Sequence, residues 1–199
     1  MTASRAKPRL LLATRNEHKR REFARLLGDW EIDALPDDVE LPPEDGETFA
    51  ENALPKARAA ATATGRVSIA DDSGIEAAAL GGRPGVRSAR YAGESASDRE
   101  NLALLLREAP AHSALEYVCA LAYVDPANGE ERLFEGRCAG TLAAEPGGER
   151  GFGYDPAFVP DDRPGSETMA QLSDEQKDEI SHRGRAARAL LEWLATRTD

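Results

Sequence analysis

The residues of this chain best equipped for chemistry are two adjacent acids, Asp71 and Asp72, followed by Ser73 and Gly74 directly behind the apolar run Val67-Ser68-Ile69-Ala70. The apolar run predicts a short strand. It places the acids beyond the strand's carboxyl end, where open α/β sheets bind their ligands. Carboxylates there can hold a hard cation such as Mg²⁺, which takes oxygen ligands and keeps several waters plus substrate phosphates. Side chains alternate along an extended chain, so the two acids point apart and one of them is the primary ligand or base. A solvated Asp-Asp-Ser-Gly turn would read the same way, so the motif gains meaning only from what surrounds it.

Four other stretches could supply partners. Thr14-Arg15-Asn16 turns a short apolar strand, Arg9 to Ala13, into a helix expected from Glu17 to Leu27, with Phe23, Leu26 and Leu27 inward and Asn16 as N-cap. The amides at such a helix start, with Lys19 one turn in, could cradle phosphates; an ordinary first βα unit would look the same. Thr48 and Glu51 form a capping box that opens an Ala-rich helix to Thr64, with Gly65 as its stop. Within it Pro55 costs a hydrogen bond and bends the helix. Lys56 beside it is either a phosphate ligand or a solvated surface lysine. Glu44 and Glu47, just before this helix, could face the same cation as Asp72. The run Gly147 to Pro156 is glycine-rich and carries Phe152 and Tyr154, either of which could stack on a flat ligand. Ser173 and Gln176 make another capping box ahead of Lys177, Ser181, His182, Arg183 and a final amphipathic helix through Leu190, Leu191 and Leu194. A single His beside an Arg is ordinarily a helix-surface pair.

The elements that position these residues read as one globular unit of 199 residues, 41% hydrophobic, with no apolar run long enough to span a bilayer. Basic residues at the start precede an apolar stretch too short for a signal peptide, so export is not expected and the cytoplasm is the default. The net charge of −11 argues against nucleic acid and acidic membranes as partners. Charge is also segregated: eight Lys/Arg, Arg5 among them, lie between Met1 and Arg25, and ten acids with no base lie between Asp29 and Glu51. That suits a site handling phosphates and a cation together, although solvated surface explains most such runs. Asp29 to Asp45 reads as strand and loop. Ser97 and Glu100 cap a helix to Glu108 that packs Leu102, Leu105 and Leu106 inward. Leu115 to Val124 and Arg132 to Leu142 form an antiparallel hairpin around Asp125 to Gly129. A turn centred near Asn128 would set Cys119 opposite Cys138, both as buried reduced thiols.

Taken in order, Thr14-x-Asn16-x-x-Lys19, Thr48-Phe-x-Glu-Asn52 with Lys56, Ala70-Asp-Asp-Ser-Gly74, Gly85 to Gly93, Gly151-Phe-Gly-Tyr-Asp-Pro156 and Ser181-His-Arg-Gly184 resemble the inosine/xanthosine triphosphate pyrophosphatase family over nearly the whole chain, from about Leu10 to Leu194. The resemblance implies an α/β fold, a mixed twisted sheet with flanking helices in a single domain of two lobes around a central cleft. It also implies a homodimer. The implied reaction is hydrolysis of non-standard purine nucleoside triphosphates to monophosphate and pyrophosphate. By the same resemblance Thr14, Asn16 and Lys19, with Arg15 in the same turn and Lys56 assisting, would bind the triphosphate. Glu44 and Asp72 would hold Mg²⁺, and Asp72 would accept the proton of the attacking water. Ser73, Phe152, Gly153, Tyr154, Asp155, Lys177, His182 and Arg183 would contact the nucleotide. The chain departs from the family at Arg15, where a small residue, usually Gly, is common; Pro55, beside Lys56, could alter that lysine's reach.

Overall fold

The computed structural model describes residues 7–197, so Arg5 of the basic N-terminal segment lies outside the described residues. A six-stranded sheet carries everything else. In chain order its strands are β1 (Arg9–Leu12), β2 (Glu31–Ala34), β3 (Ser68–Ala77), β4 (Ala114–Asp125), β5 (Glu130–Leu142) and β6 (Phe158–Pro160), arranged β2-β1-β3-β4-β5-β6. β1 is parallel to β2 and β3, and the remaining pairs are antiparallel, so the sheet is mixed. The helices are α1 (Glu17–Leu26), α2 (Phe49–Thr64), α3 (Asp98–Glu108), α4 (Asp174–Ile180) and α5 (His182–Ala195).

Local sequence accounts for the helix starts. Asn16 Oδ1 accepts from the backbone N–H groups of His18 and Lys19, and Thr48 with Glu51, Ser97 with Glu100 and Ser173 with Gln176 each close a capping box. α2 runs unbroken through Pro55 and ends at Gly65 in the left-handed conformation. Ser181 ends α4 and caps α5, accepting from Gly184 N–H at 3.1 Å, so the C-terminal segment is two helices rather than one.

β3 divides the core. On one face Ala70 packs with Leu11, Val118 and Ala120 against Ala53, Ala57 and Ala60 of α2. On the other, Ile69 packs with Leu10, Leu12 and Leu121 against Phe23 and Leu27 of α1 and its end, and against Ala186 and Leu190 of α5. A third cluster joins Ile75, Leu105, Tyr117, Phe158 and Met169 farther along the sheet. α5 reaches the sheet closely because position 136 is glycine. A Cβ there would stand 2.0 Å from the carbonyl oxygen of His182 and 2.6 Å from Ala186 N.

Two expectations need correction here. The strand expected over Val67 to Ala70 continues through both acids to Ala77, because β4 pairs with it along its whole length, Asp71 against Leu121 and Asp72 against Ala120. The acids still lie past the carboxyl end of a strand, but that strand is β1, whose pairing with β3 stops at Leu12 and Ile69. The cysteines are not opposite one another either. The turn closes between Asp125 and Glu130, Asp125 accepting from Ala127 and Gly129, which sets Cys119 against Gly136 and Cys138 against Tyr117. Both cysteines are free and buried, as expected.

Candidate active site

Where β1 ends, Thr14 Oγ1 accepts from Asn16 N–H at 3.2 Å and the chain turns into the capped first turn of α1. Lys19 extends from that turn to within 3.0 Å of Asp71 Oδ2. Arg15 is employed differently from its neighbours. Its guanidinium donates to the carbonyls of Leu35, Pro36 and Val39 at 2.8–3.0 Å and to that of Asp37 at 3.3 Å. The side chain therefore fastens the acidic loop after β2 beside the turn into α1.

The two acids of β3 do point to opposite faces, and their surroundings differ sharply. Asp71 has no exposure and faces α1 and α5. Its Oδ2 accepts from Ser73 Oγ at 2.9 Å and lies 3.0 Å from Lys19 Nζ and 3.4 Å from Arg183 Nε. Burial alone would raise its pKa, but the charges of Lys19, Arg183 and Lys56 overcome that and hold it well below the usual carboxylate range. Asp72 faces α2. Its Oδ1 accepts from Ser73 N–H at 3.0 Å and its Oδ2 from Asn52 Nδ2 at 2.9 Å. Here burial prevails, aided by the charge of Glu44, and the pKa is raised despite Lys19 and Lys56. Two neighbouring carboxylates pushed in opposite directions is the pattern that separates a permanently charged anchor from a base able to take a proton.

Lys56 is buried, not a surface lysine; it pairs with Glu44 and donates to the backbone carbonyl of Asp71 at 2.7 Å. Asn52 Oδ1 accepts from Gly46 N–H at 2.8 Å, so one carboxamide joins the loop bearing Glu44 to Asp72. Arg90 adds a second tie, donating to the carbonyl of Glu44 at 2.7 Å.

The other end of the site is a buried charge network. Lys177 donates to Glu22 and Asp155, each at 2.6 Å. Arg183 donates to Glu22 at 2.9 Å and to Ser73 Oγ at 2.6 Å. Asp155 also accepts from Tyr117 Oη at 3.1 Å and from Phe152 N–H at 2.9 Å. That last bond folds the loop tightly: Gly151 has φ +72°, and a Cβ on it would stand 2.0 Å from Asp155 Oδ2. His182 and Arg183 are buried rather than forming a surface pair. The imidazole stacks on Tyr117, with centroids 4.5 Å apart and 6° between planes. Burial and the charges of Arg183 and Lys177 push its pKa well down, so it is a neutral ring, and its Nδ1 makes no hydrogen bond among the described residues.

These parts line one cavity of about 340 Å³. Thr14, Arg15, Asn16, Lys19, Glu44, Lys56, Asp72, Ser73, Phe152, Gly153, Tyr154, Asp155, His182 and Arg183 all contribute to its wall. Lys177 lines a smaller adjoining cavity and meets the first through Asp155. Glu47 does not line the cavity; its backbone N–H donates to Glu51 within the capping turn. Tyr154 directs its hydroxyl to the carbonyl of Ser88 at 2.7 Å, leaving Phe152 as the ring available for stacking.

Sequence reasoning passed over Glu22 and Tyr117, and quoted Asn52 within the Thr48 to Asn52 motif without giving it a role. Glu22 carried a signal: three residues after Lys19 and one before Phe23, it is an acid on the inward face of α1. Glu44 and Asp72 both line the cavity and are hard oxygen donors that could hold a cation, and the charge of Glu44 contributes to the raised pKa of Asp72. Among the described residues no cluster of three His, Cys, Asp or Glu could hold a metal. The remaining ligands would thus come from water and a bound phosphate chain, as Mg²⁺ prefers.

A family model described as the Ham1 family matches residues 10–193. A protein of Mycolicibacterium paratuberculosis named dITP/XTP pyrophosphatase is 50% identical, with 94% of this chain and 96% of that protein covered. The solved structure of a HAM1 protein from Coxiella burnetii superposes with a TM-score of 0.84 at 36% identity, over 95% of this chain and 99% of that one. A nucleoside-triphosphatase / dITP/XTP pyrophosphatase from Mycobacterium abscessus has a TM-score of 0.70 at 44% identity, over 92% and 98% of the two chains.

Proposed function

Since this chain belongs to the Ham1 family, we propose that it hydrolyses the non-standard purine nucleoside triphosphates of inosine, deoxyinosine and xanthosine to monophosphate and pyrophosphate, with Mg²⁺ as cofactor. The observation that carries this reading is the single cavity in which a capped helix start with Lys19, a carboxylate of raised pKa and a wall of aromatic and cationic side chains succeed one another. Phosphoryl and nucleotidyl transfer draws most of its catalysis from positioning and charge neutralisation, and this arrangement supplies both.

Thr14, Asn16 and the Lys19 ammonium, at the positive end of α1, hold the phosphate chain. Asp72, kept in place by Asn52 and Ser73, orients a water toward the α-phosphorus and takes its proton. Glu44 and Asp72 would hold the divalent ion, which when bound would supply charge neutralisation for the phosphate chain. Phe152 stacks against the base, while neutral His182 and the Arg183 guanidinium present polar groups to its edge. A 6-oxo group accepts hydrogen bonds from donors that the 6-amino group of adenine would leave unpaired.

No helix among the described residues is long and apolar enough to cross a membrane, and the net charge of −11 disfavours nucleic acid as a partner. A homodimer, a two-lobed single domain and a cytoplasmic setting complete the reading, supported by the family resemblance.

The test is a triphosphate panel with separate detection of pyrophosphate and orthophosphate under identical Mg²⁺. Unpaired buried polar groups cost ~1–3 kcal/mol each, so two mismatches predict a kcat/KM preference for inosine over adenosine triphosphate of roughly 10² to 10⁴. Comparable values would remove the proposed specificity, and release of orthophosphate from the triphosphate would remove the pyrophosphatase chemistry.

A further inference from the structure

We propose that His18 is a positioning residue for the base: it braces the Phe152 ring from behind, so that the first turn of α1 serves both ends of the nucleotide. The inference rests on the reading of the main cavity as a nucleotide pocket. His18 is the second residue of α1, and its imidazole stacks on Phe152 with centroids 5.0 Å apart and 21° between the planes. Phe152 lines both the main cavity and the adjoining one of about 210 Å³, whereas His18 lines only the smaller. The Phe152 ring is therefore a partition, and His18 stands on the side away from the main cavity.

A purine cannot slip between the two rings, since that would need two stacking separations of about 3.5 Å each. The base must meet Phe152 from the main cavity. The ring needs support there because it projects from a loop whose Gly151 and Gly153 both have positive φ. Its other neighbours are cations, Arg183 at 5.0 Å and Lys177 at 5.3 Å from its centroid. Both are held by Glu22, so that carboxylate, and not the ring, sets where they stand. His18 is the aromatic ring stacked on Phe152. Its backbone N–H is fixed at 2.9 Å to Asn16 Oδ1, the atom that organises the phosphate turn. The stack thus ties the tilt of the base wall to the helix start that holds the phosphates.

The experiment compares His18→Ala, His18→Phe and Phe152→Ala in the full chain. Steady-state constants for inosine triphosphate are measured with inhibition constants for inosine monophosphate, which has the base, and inorganic tripolyphosphate, which lacks it. An aromatic pair contributes ~1 kcal/mol beyond its burial, so His18→Ala should raise KM and the monophosphate inhibition constant about fivefold. Its kcat and the tripolyphosphate constant should stay within about twofold of the parent values, since the His18 side chain lines only the smaller cavity. His18→Phe should restore the parent constants. If Phe152→Ala weakens the monophosphate and His18→Ala does not, the brace is wrong while the base pocket stands. A parallel rise in the tripolyphosphate constant would show a general disturbance of α1 and overturn the role. If Phe152→Ala leaves the monophosphate unaffected, the base pocket itself fails and the brace with it.

Discussion

The two faces of β3 present the same side chain, one residue apart, in opposite electrostatic conditions. On the α1 and α5 face Asp71 is enclosed by Lys19, Arg183 and the Ser73 hydroxyl and is held charged. On the α2 face Asp72 takes its hydrogen bonds from neutral donors, Asn52 and Ser73 N–H, and its burial, with the like charge of Glu44, outweighs the charges of Lys19 and Lys56. A buried charge persists only when it is paired, and an under-compensated one favours its protonated form. Under the proposed function the contrast suits Asp71 as the structural anchor and Asp72 as the base.

The largest effect that would sharpen this contrast is on turnover. Asp72→Asn should lower kcat by at least ~10³-fold, because it removes the proton acceptor and one of two cation ligands. Its melting temperature should be unchanged or higher, since burial already disfavours the Asp72 charge. A variant that retains turnover would break the contrast outright.

Asp71→Asn comes next and should act on stability. Lys19 and Arg183 lose a fully buried counter-charge, a loss of roughly 3–5 kcal/mol in urea unfolding. The pH dependence has a definite sign. Asp71 has a folded pKa depressed below its unfolded value, as does Glu22 beside Lys177 and Arg183, where the cations outweigh burial. Their contribution is therefore fully present above the unfolded carboxylate range, near pH ~4, and is lost as pH falls through the folded values. Unfolding free energy measured from about pH 5 downward should fall in the parent and fall less steeply in Asp71→Asn. Equal slopes would mean that the Asp71 network is not what holds this face.

Arg15→Ala should give the smallest effect. The lost bonds go to carbonyls that water can reach in part, so about 1 kcal/mol of stability, or ~2–4 °C in Tm, is expected with less than a twofold change in KM. A rise in KM of tenfold or more would move Arg15 from loop fastener to phosphate ligand.

Much of this architecture was legible because its signals are local. The capping boxes at Thr48, Ser97 and Ser173, the Asn16 cap and the Gly65 stop each involve groups within a few residues of one another, and the helices begin where these place them. Alternation along an extended chain likewise put Asp71 and Asp72 on opposite faces. What was not legible depended on distant partners. Two polar residues side by side, His182 and Arg183, read as a helix surface, yet Glu22, Asp71 and Tyr117 accommodate them in the interior from three other elements.

The sequence by itself determined where the helices start and many of the residues that line the cavity, because capping and motif spacing are properties of short segments. Tertiary structure decided which acid the surrounding cations hold charged and which has its pKa raised by burial. It also set the hairpin register, extended β3 through both acids, and turned the Arg15 side chain to the loop after β2. Each of these depends on how burial balances against charges and hydrogen-bond partners that only folding brings together: α1, α2 and α5 set the opposed environments of two neighbouring aspartates, and β4 supplies the hydrogen bonds that keep them in a strand.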